Sequence, residues 1–273
     1  MYVDAGLKLY VERGADETLP ELLFISGSGG DLRNRPNQFD GPLAQAFRLL
    51  CYDQRGLGRS DIPPGDYSMA DYADDAARLL DALDIQQIPV MGVSFGGMVA
   101  QEFVLRHPDR VGALVLACTS AGGAGAASYP LHELYNLQPR ARAEAHLKVA
   151  DTRHTDAWIA QHPDKWEQRI ALSMRPAIQG AESDDETEDG NWKQLMARKG
   201  HDTFSRLHQI GAPTLLVGGE FDGIAPPANM RAIQQQIKGS QLHFFRGGHM
   251  FLVQDKEANP FIIQWLKGVI ESG

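Results

Sequence analysis

The amino-acid sequence predicts an α/β fold, in which a doubly wound, mostly parallel sheet is interrupted by a helical insertion. Short apolar runs alternate with amphipathic helical segments over residues 1–120, which is typical of a parallel sheet covered by helices on both faces. The strand pattern stops at Ala121 and returns only near Pro213. The chain has 273 residues, which is enough for one large α/β domain that carries an insertion.

Hydrophobic periodicity predicts the first elements. Gly6–Arg13 alternates apolar and polar residues, which indicates an edge strand. The apolar runs Glu21–Ile25 and Phe47–Asp53 are continuous, as expected for strands buried on both faces. Ser68–Leu83 is predicted to be a helix, because Ser68 can cap it and its alanine and leucine residues recur at helical spacing.

The most informative stretch is Val90–Met98, where an apolar run ends in a serine held between two glycines. Ile88–Val93 predicts a strand, Phe95–His107 predicts a helix, and Ser94 stands at their junction. Gly-x-Ser-x-Gly in this setting is typical of a nucleophile elbow, in which the serine adopts a strained backbone and the glycines avoid a collision. The alternative is a glycine-rich turn whose serine only caps the helix.

The chain changes character after Val111–Thr119, which predicts another strand. Helical patterns without strand patterns then occur at Leu131–Ala150, Asp156–Ile159, Pro163–Met174 and Trp192–Leu207. The acidic stretch Glu182–Asp189 between them is predicted to be a solvated loop. We therefore expect a helical cap at residues 121–207, inserted into one core domain of residues 1–120 and 208–273.

Strands and helices alternate again after the insertion, at Pro213–Gly218, Pro227–Ile237, Gln241–Phe245 and Asn259–Glu271. Function in an open α/β sheet gathers at the carboxyl ends of the strands. Ser94, Asp222 and His249 each follow a predicted strand. A serine hydroxyl needs an imidazole to take its proton and a carboxylate to orient that imidazole, and the order serine, aspartate, histidine is the one expected for this kind of sheet.

On these motifs the chain resembles the α/β-hydrolase superfamily over almost its whole length. The matching pieces are Tyr52–Asp61, the elbow, Gly219–Asp222 with Pro226, Gly248-His249, and the return from the insertion at His201–Thr203 with Arg206, Leu207, Ile210 and Pro213-Thr214. The resemblance implies that Ser94 is the nucleophile and His249 the general base and acid. It assigns Asp222 to orient His249, with Glu220 as the alternative carboxylate.

The resemblance also implies an oxyanion hole made of two backbone N–H groups. Phe95 would supply one, at the start of a helix whose dipole favours negative charge. The other would come from the turn after Glu21–Ile25, where many relatives carry His-Gly and the next residue donates. This chain has Ser26-Gly27 there, so Ser28 is the matching donor and Gly29 the alternative.

Composition disfavours several kinds of partner. A net charge of −9 and a pI of about 5.4 argue against nucleic acid and anionic membranes. No window resembles a membrane span or a signal peptide, so a cytoplasmic protein is expected. Cys51 and Cys118 lack a Cys-x-x-Cys partner, and the remaining histidines show no metal-ligand spacing, so no metal or cofactor is expected.

The resemblance implies hydrolysis of small-molecule carboxylic esters with small to medium acyl chains, through an acyl-enzyme. A serine at the elbow argues against the superfamily members whose elbow carries aspartate. Lactone opening and hydrolytic C–C cleavage of a diketone from aromatic breakdown use the same triad and stay open, because cap residues decide between them. A receptor that retains the triad and binds a small ligand is the alternative from another class. A homodimer is compatible with the sequence.

Overall fold

The computed structural model describes residues 1–174 and 185–272, and in this part of the chain eight strands form one sheet. The strands are β1 Tyr2–Asp4, β2 Lys8–Arg13, β3 Glu21–Ile25, β4 Arg48–Tyr52, β5 Ile88–Val93, β6 Val111–Ala117, β7 Thr214–Gly219 and β8 Gln241–Phe245. They lie in the order β1-β2-β4-β3-β5-β6-β7-β8. The first two pairings are antiparallel and the rest are parallel, which confirms the predicted fold class.

Helices cover both faces of this sheet. One face carries α2 Met69–Ala82, α3 Phe95–Arg106 and α8 Pro227–Gln236, and the other carries α1 Pro42–Ala46, α9 Phe251–Gln254 and α10 Ala258–Ser272. Strand β6 shows why both faces need cover. Leu114 and Leu116 belong to one hydrophobic cluster, and Ala113 and Val115 belong to the other. The continuous apolar runs of the sequence are therefore strands buried on both sides.

The edge of the sheet differs from the prediction. β1, which the sequence pattern does not predict, pairs with β2 and forms the edge, so Lys8–Arg13 lies between β1 and β4. Only Val3 of β1 is buried. A strand of three residues is too short to show a periodic pattern, so its pairing with β2 determines that it forms.

The segment predicted to be an insertion, residues 121–207, is helical in its described part. It contains α4 Pro139–Ala150, α5 Asp156–Gln161, α6 Pro163–Ser173 and α7 Asp185–Lys199, with short 3-10 helices that include Leu131–Leu134 and, at the return to the core, Phe204–Gln209. The helix expected over Leu131–Ala150 is divided, because Pro139 starts a new helix. The helix expected over Trp192–Leu207 instead ends at Lys199, directly before Gly200.

Two further expectations concern the insertion and the cysteines. Glu182–Asp184 of the acidic stretch lie outside the described residues, whereas Asp185–Asp189 belong to α7 rather than to a loop.

Cys51 and Cys118 are both buried, and they do not form a disulfide with each other. No helix in the described ranges is long and apolar enough to cross a membrane.

The turn after β4 is held by buried charges. The Asp53 carboxylate accepts hydrogen bonds from the backbone N–H groups of Leu32 at 2.7 Å and Arg59 at 3.0 Å. Arg55 donates from Nε and Nη2 to Asp75 of α2, at 2.6 and 2.8 Å. These contacts give the turn a structural role, because they fix the loops beside the carboxyl ends of β3 and β5.

Candidate active site

Ser94 stands at a sharp turn between β5 and α3. Its backbone has φ 55° and ψ −113°, a left-handed conformation that costs on the order of 1–3 kcal/mol for a residue with a side chain. A Cβ on Gly92 would overlap the backbone of Gly96, and one on Gly96 would overlap the carbonyl of Ile25. The Ser94 N–H donates to the carbonyl of Ala117 at 2.8 Å, which ties the strained turn to β6.

The three residues predicted as a triad come together. His249 Nε2 lies 2.9 Å from Ser94 Oγ, and His249 Nδ1 lies 2.7 Å from Asp222 Oδ2. The other carboxylate oxygen of Asp222 accepts the N–H groups of Ile224 and Ala225 at 2.8 and 2.9 Å. Because a carboxylate accepts from Nδ1, that nitrogen carries the proton in the neutral imidazole, and Nε2 is free to accept from the serine hydroxyl.

Glu220, the alternative carboxylate, is solvent-exposed, while the Asp222 side chain is fully buried. The two residues leave β7 together, but the chain turns between them, and the Asp222 N–H donates to the carbonyl of Gly219 at 3.3 Å. The observed geometry therefore joins His249 to Asp222 and not to Glu220.

Helix α4 of the insertion supports the loops that carry the acid and the histidine. Its last carbonyl groups have no partner within the helix. The carbonyl of Val149 accepts the N–H of Gly223 at 3.0 Å, and the carbonyl of Ala150 accepts the N–H of His249 at 2.6 Å. The end of α4 is thus bonded to both loops. No sequence motif predicts these contacts, because they involve backbone groups only.

The turn after β3 is fixed from two sides. Gln54 Nε2 donates to the carbonyl of Ser26 at 2.9 Å, and Gln194 Oε1 of α7 accepts the N–H of Gly29 at 2.8 Å. The N–H of Ser28 has no acceptor among the residues that the structure describes. Phe95 opens α3, so its N–H lacks a partner within the helix. Gln194 and Gln54 were not predicted as site residues.

A cavity of about 630 Å³ lies between this turn and the insertion. Ser28 and Gly29 line it on the core side. Most of the other lining residues are apolar, namely Leu131, Leu134, Tyr135, Pro139, Ala143, Met174 and Leu195. Its polar members include His146, which no sequence motif marks as a site residue. Burial lowers the pKa of His146, and electrostatic interactions with His249 and Arg198 lower it further.

Cys118 is the third member of a cluster with Asp222 and His249, whose possible ligand atoms lie within 4.8 Å of one another. Burial, and then the charge of Asp222, raise the pKa of Cys118 well above its ordinary value, so the thiol keeps its proton. A protonated thiol is a poor metal ligand, and the other two residues are bonded to each other. The chemistry of the cluster thus suits proton transfer better than metal binding.

Known proteins provide an independent comparison. The profile of the alpha/beta hydrolase fold matches residues 20–256. A poly(3-hydroxyalkanoate) depolymerase from Ectopseudomonas oleovorans is 31% identical over 252 residues, which cover 91% of this chain and 85% of the relative. A putative carbamate hydrolase, RutD, from Variovorax paradoxus is 30% identical over 260 residues, covering 92% of this chain and 93% of the relative.

Solved structures agree with this assignment. A thermophilic esterase from Thermogutta terrifontis is 25% identical with a TM-score of 0.73, and the match covers 98% of each chain. The enol-lactonase from Burkholderia xenovorans is 22% identical with a TM-score of 0.74, covers 99% of this chain and 100% of its own, and shows the likeness of fold alone. The profile matches most of the chain, and the depolymerase and RutD relatives are 31% and 30% identical to it. The chain therefore belongs to the alpha/beta hydrolase family.

Proposed function

We propose that the chain is a serine hydrolase that cleaves carboxylic esters of small to medium acyl chains through an acyl-enzyme. The observation that carries the proposal is the continuous hydrogen-bond chain from Ser94 through His249 to Asp222, which starts at a strained elbow. Family membership supports a hydrolase. The depolymerase relative supports an ester, because the repeating link of a poly(3-hydroxyalkanoate) is an ester.

The first half of the reaction is acylation. Ser94 Oγ attacks the carbonyl carbon of the ester while its proton passes to His249 Nε2, which lies 2.9 Å away. The resulting imidazolium is stabilised by Asp222, whose remaining oxygen is held by two backbone N–H groups. His249 then gives the proton to the alcohol oxygen, the C–O bond breaks, and the acyl group stays on Ser94.

Negative charge develops on the carbonyl oxygen of the substrate during the attack, and hydrogen-bond donors held in fixed positions stabilise it. We assign this role to the backbone N–H groups of Phe95 and Ser28. Phe95 also lies at the N-terminus of α3, where the helix dipole is positive. Gly29 is the weaker alternative, because its N–H already donates to Gln194.

The second half repeats the chemistry with water as the nucleophile. His249 Nε2 takes a proton from a water molecule, the hydroxide attacks the acyl carbon, and the serine oxygen leaves with the proton from His249. The products are a carboxylic acid and free Ser94. No other group is needed to balance either half.

The insertion at residues 121–207 is proposed to act as a cap on the core domain of residues 1–120 and 208–273. Its helices supply most of the apolar lining of the 630 Å³ cavity. An apolar cavity of this size suits a small to medium acyl or alcohol group. The cap would therefore set the substrate range, while the triad sets the reaction.

A direct test uses p-nitrophenyl acetate and butyrate, with a fluorophosphonate as the covalent probe. We expect steady turnover, and we expect mass spectrometry to find the probe on Ser94. Ser94→Ala should abolish both results while the protein stays folded, and Ser205→Ala, which changes an exposed serine, should change neither. Retention of half the activity in Ser94→Ala would rule out the proposed nucleophile.

The same assay separates the other candidates. One stoichiometric burst followed by near silence would indicate a receptor with a retained triad. A panel that adds lactones, a carbamate and a diketone ring-cleavage product compares the alternative substrates, of which the RutD relative favours the carbamate. A kcat/KM for any of these well above that of every ester would displace the ester assignment.

A further inference from the structure

One face of α4 lines the cavity of about 630 Å³ beside the turn that carries Ser28. The lining residues of this helix recur at helical spacing and are Pro139, Arg142, Ala143 and His146. His146 is the member of this set nearest the end of the helix. One turn later, or about 6 Å along the axis, the carbonyl of Ala150 accepts the N–H of His249 at 2.6 Å. His146 therefore lies at the end of the cavity-lining face that leads to His249.

The ring nitrogens of His146 have no hydrogen-bond partner in the described part of the chain. They also differ from the fully enclosed polar atoms that lack a partner, one of which is Nδ1 of His201. Both nitrogens are therefore accessible, although the residue as a whole is half-buried. Helical side chains lean towards the N-terminus of their helix, which directs the ring over Arg142 and Ala143 and along the cavity. Burial lowers the pKa of His146 below its ordinary value of 6.5, so the ring is neutral at neutral pH.

Two neighbouring polar side chains in the lining differ from His146. The Gln194 carbonyl already accepts the N–H of Gly29 at 2.8 Å. Arg142 is exposed, and its guanidinium donates to the carbonyl of Leu137 at 3.3 Å. The ring of His146 combines shielding from bulk solvent with two unused nitrogens, in a cavity whose other lining is mostly apolar. Such a group is suited to contact a bound molecule rather than to support the fold.

The chemistry of a neutral imidazole indicates which substrate group it prefers. A substrate that enters the cavity displaces solvent from the His146 ring. A purely apolar chain would leave the nitrogens shielded and without a partner, which is unfavourable. One nitrogen of a neutral imidazole donates and the other accepts. A hydroxyl group does both, so it can replace water at either nitrogen, whichever of them carries the proton.

We propose that His146 is a specificity-determining residue, which hydrogen-bonds a hydroxyl group of the substrate and favours hydroxy esters over esters that carry a methyl group in its place. The inference rests on the proposed esterase function and narrows its substrate class. The hydroxyl group belongs to either the acyl or the alcohol part of the ester, and two pairs of substrates distinguish these sources. The apolar remainder of the lining holds the hydrocarbon of the substrate.

The first measurement compares kcat/KM within two pairs of esters, in which one hydroxyl group replaces one methyl group. The p-nitrophenyl esters of 3-hydroxybutyrate and 3-methylbutyrate test the acyl part, and 2-hydroxyethyl butyrate and propyl butyrate test the alcohol part. Each value is divided by the rate of hydroxide-catalysed hydrolysis, which removes differences in intrinsic reactivity. We expect the hydroxy ester to be preferred by roughly tenfold or more in at least one pair. The pair that shows the preference identifies which part of the ester contacts His146.

Variants of His146 show whether this residue causes the preference. His146→Phe keeps a ring without nitrogens, and it should reduce the preference by roughly tenfold. His146→Gln should retain part of it, because an amide also donates and accepts. The exposed His208→Phe is the matched control and should keep the parental preference. Circular dichroism checks the fold of each variant. No preference in the parent, or an unchanged preference in a folded His146→Phe, would overturn the proposal.

Binding without turnover separates this inference from the proposed function. Calorimetry of Ser94→Ala with the same pairs of esters should show roughly tenfold tighter binding of the preferred hydroxy ester. Adding His146→Phe should remove the difference. A parent that cleaves no ester would refute the proposed function, whereas a binding preference that depends on His146 would still support the present inference. Equal binding of both members of each pair would overturn it.

A crystal structure of Ser94→Ala with the preferred hydroxy ester covers the case in which the His146 variants do not fold. The hydroxyl oxygen is expected within about 3.2 Å of a ring nitrogen of His146. A hydroxyl group bound elsewhere in the cavity would equally refute the proposal.

Discussion

The side-chain carbonyl of Gln194 accepts a hydrogen bond of 2.8 Å from the backbone N–H of Gly29, which joins α7 of the insertion to the turn beside Ser94. Gln194 is only 1% exposed, and Gly29 has a φ of +69°. The bond holds the turn in a conformation that leaves the N–H of Ser28 available. The loop that lacks the expected histidine is thus anchored by a glutamine from the insertion.

Replacing Gln194 with methionine should therefore lower kcat by roughly tenfold to a hundredfold and leave KM almost unchanged. Methionine has a similar length but offers no comparable acceptor, so the Ser28 donor loses its fixed position. Donors of this kind stabilise charge that appears only in the transition state, which is why kcat rather than KM should respond. Steady-state kinetics with p-nitrophenyl butyrate measure the effect.

Gln161→Met provides the control, because Gln161 is an exposed glutamine at the end of α5. It should leave both kinetic constants unchanged. An increase in KM alone for Gln194→Met would place the residue in substrate binding instead, and parental kinetics would show that the Gly29 bond has no role in turnover.

Asp222→Asn should reduce kcat by a factor on the order of 10³–10⁴. The amide oxygen would keep accepting the two backbone N–H groups, so the NH₂ group would face His249 Nδ1 and favour the wrong tautomer, and the negative charge that stabilises the imidazolium would be lost. Glu220→Gln is the matched change two residues earlier, on an exposed side chain, and it should have little effect. Circular dichroism of both variants checks the fold. A silent Asp222→Asn together with an inactive Glu220→Gln would transfer the acid role to Glu220.

Asp75→Asn tests the buried charges that hold the turn after β4. Asp75 is 1% exposed and accepts from Arg55 at 2.6 and 2.8 Å. Removing its charge leaves the buried Arg55 with only the longer contact to the exposed Asp71, at 3.6 Å, so the free energy of unfolding should fall by about 3 kcal/mol. The comparison is Asp81, an exposed carboxylate paired with Arg110, and Asp81→Asn should change stability by less than about 1 kcal/mol. Urea unfolding measures the free energy of unfolding of both variants. Equal losses of stability would show that burial of the Arg55–Asp75 pair makes no difference.

The sequence was sufficient for the fold because its strands are apolar runs bounded by turn residues. β3 occupies Glu21–Ile25 as predicted, and β6 and β7 differ from their predicted bounds by one or two residues. The short elements β1 and α1 were not predicted. Three or five residues carry too little periodicity, so packing against neighbouring elements determines their structure.

The sequence predicts only those residues of the candidate site that lie in recognisable motifs. Ser94, Asp222 and His249 lie in short motifs directly after strands, and a parallel sheet brings those strand ends together. Gln194 had no such motif, since it reaches Gly29 across 165 residues of sequence. The carbonyl groups of Val149 and Ala150 act through the backbone, which any residue type provides. Contacts of this kind require the folded chain.

His201 should make the stability of the protein depend on pH. Its Nε2 lies 3.1 Å from the carbonyl of Ser120, and the ring is almost completely buried. Burial lowers the pKa of His201 to about 4, and the positive charge of Arg206 adds slightly to this lowering. The Ser120 carbonyl and the negative charges of Glu102 and Asp202 raise the pKa, but they do not outweigh burial. The folded protein therefore keeps this histidine neutral at pH values where the unfolded chain has already bound a proton.

The unfolded chain binds more protons than the fold between the ordinary histidine pKa of about 6.5 and the folded value of about 4. The free energy of unfolding should therefore fall as the pH falls through this window, with a contribution from His201 on the order of 1 kcal/mol per pH unit. His201→Gln keeps a donor for Ser120 and cannot titrate, so it should reduce this slope. His208→Gln, at an exposed position, should not change it. Urea unfolding of the three proteins across this range measures the slopes, and parallel curves for the parent and His201→Gln would show that the buried ring is not responsible.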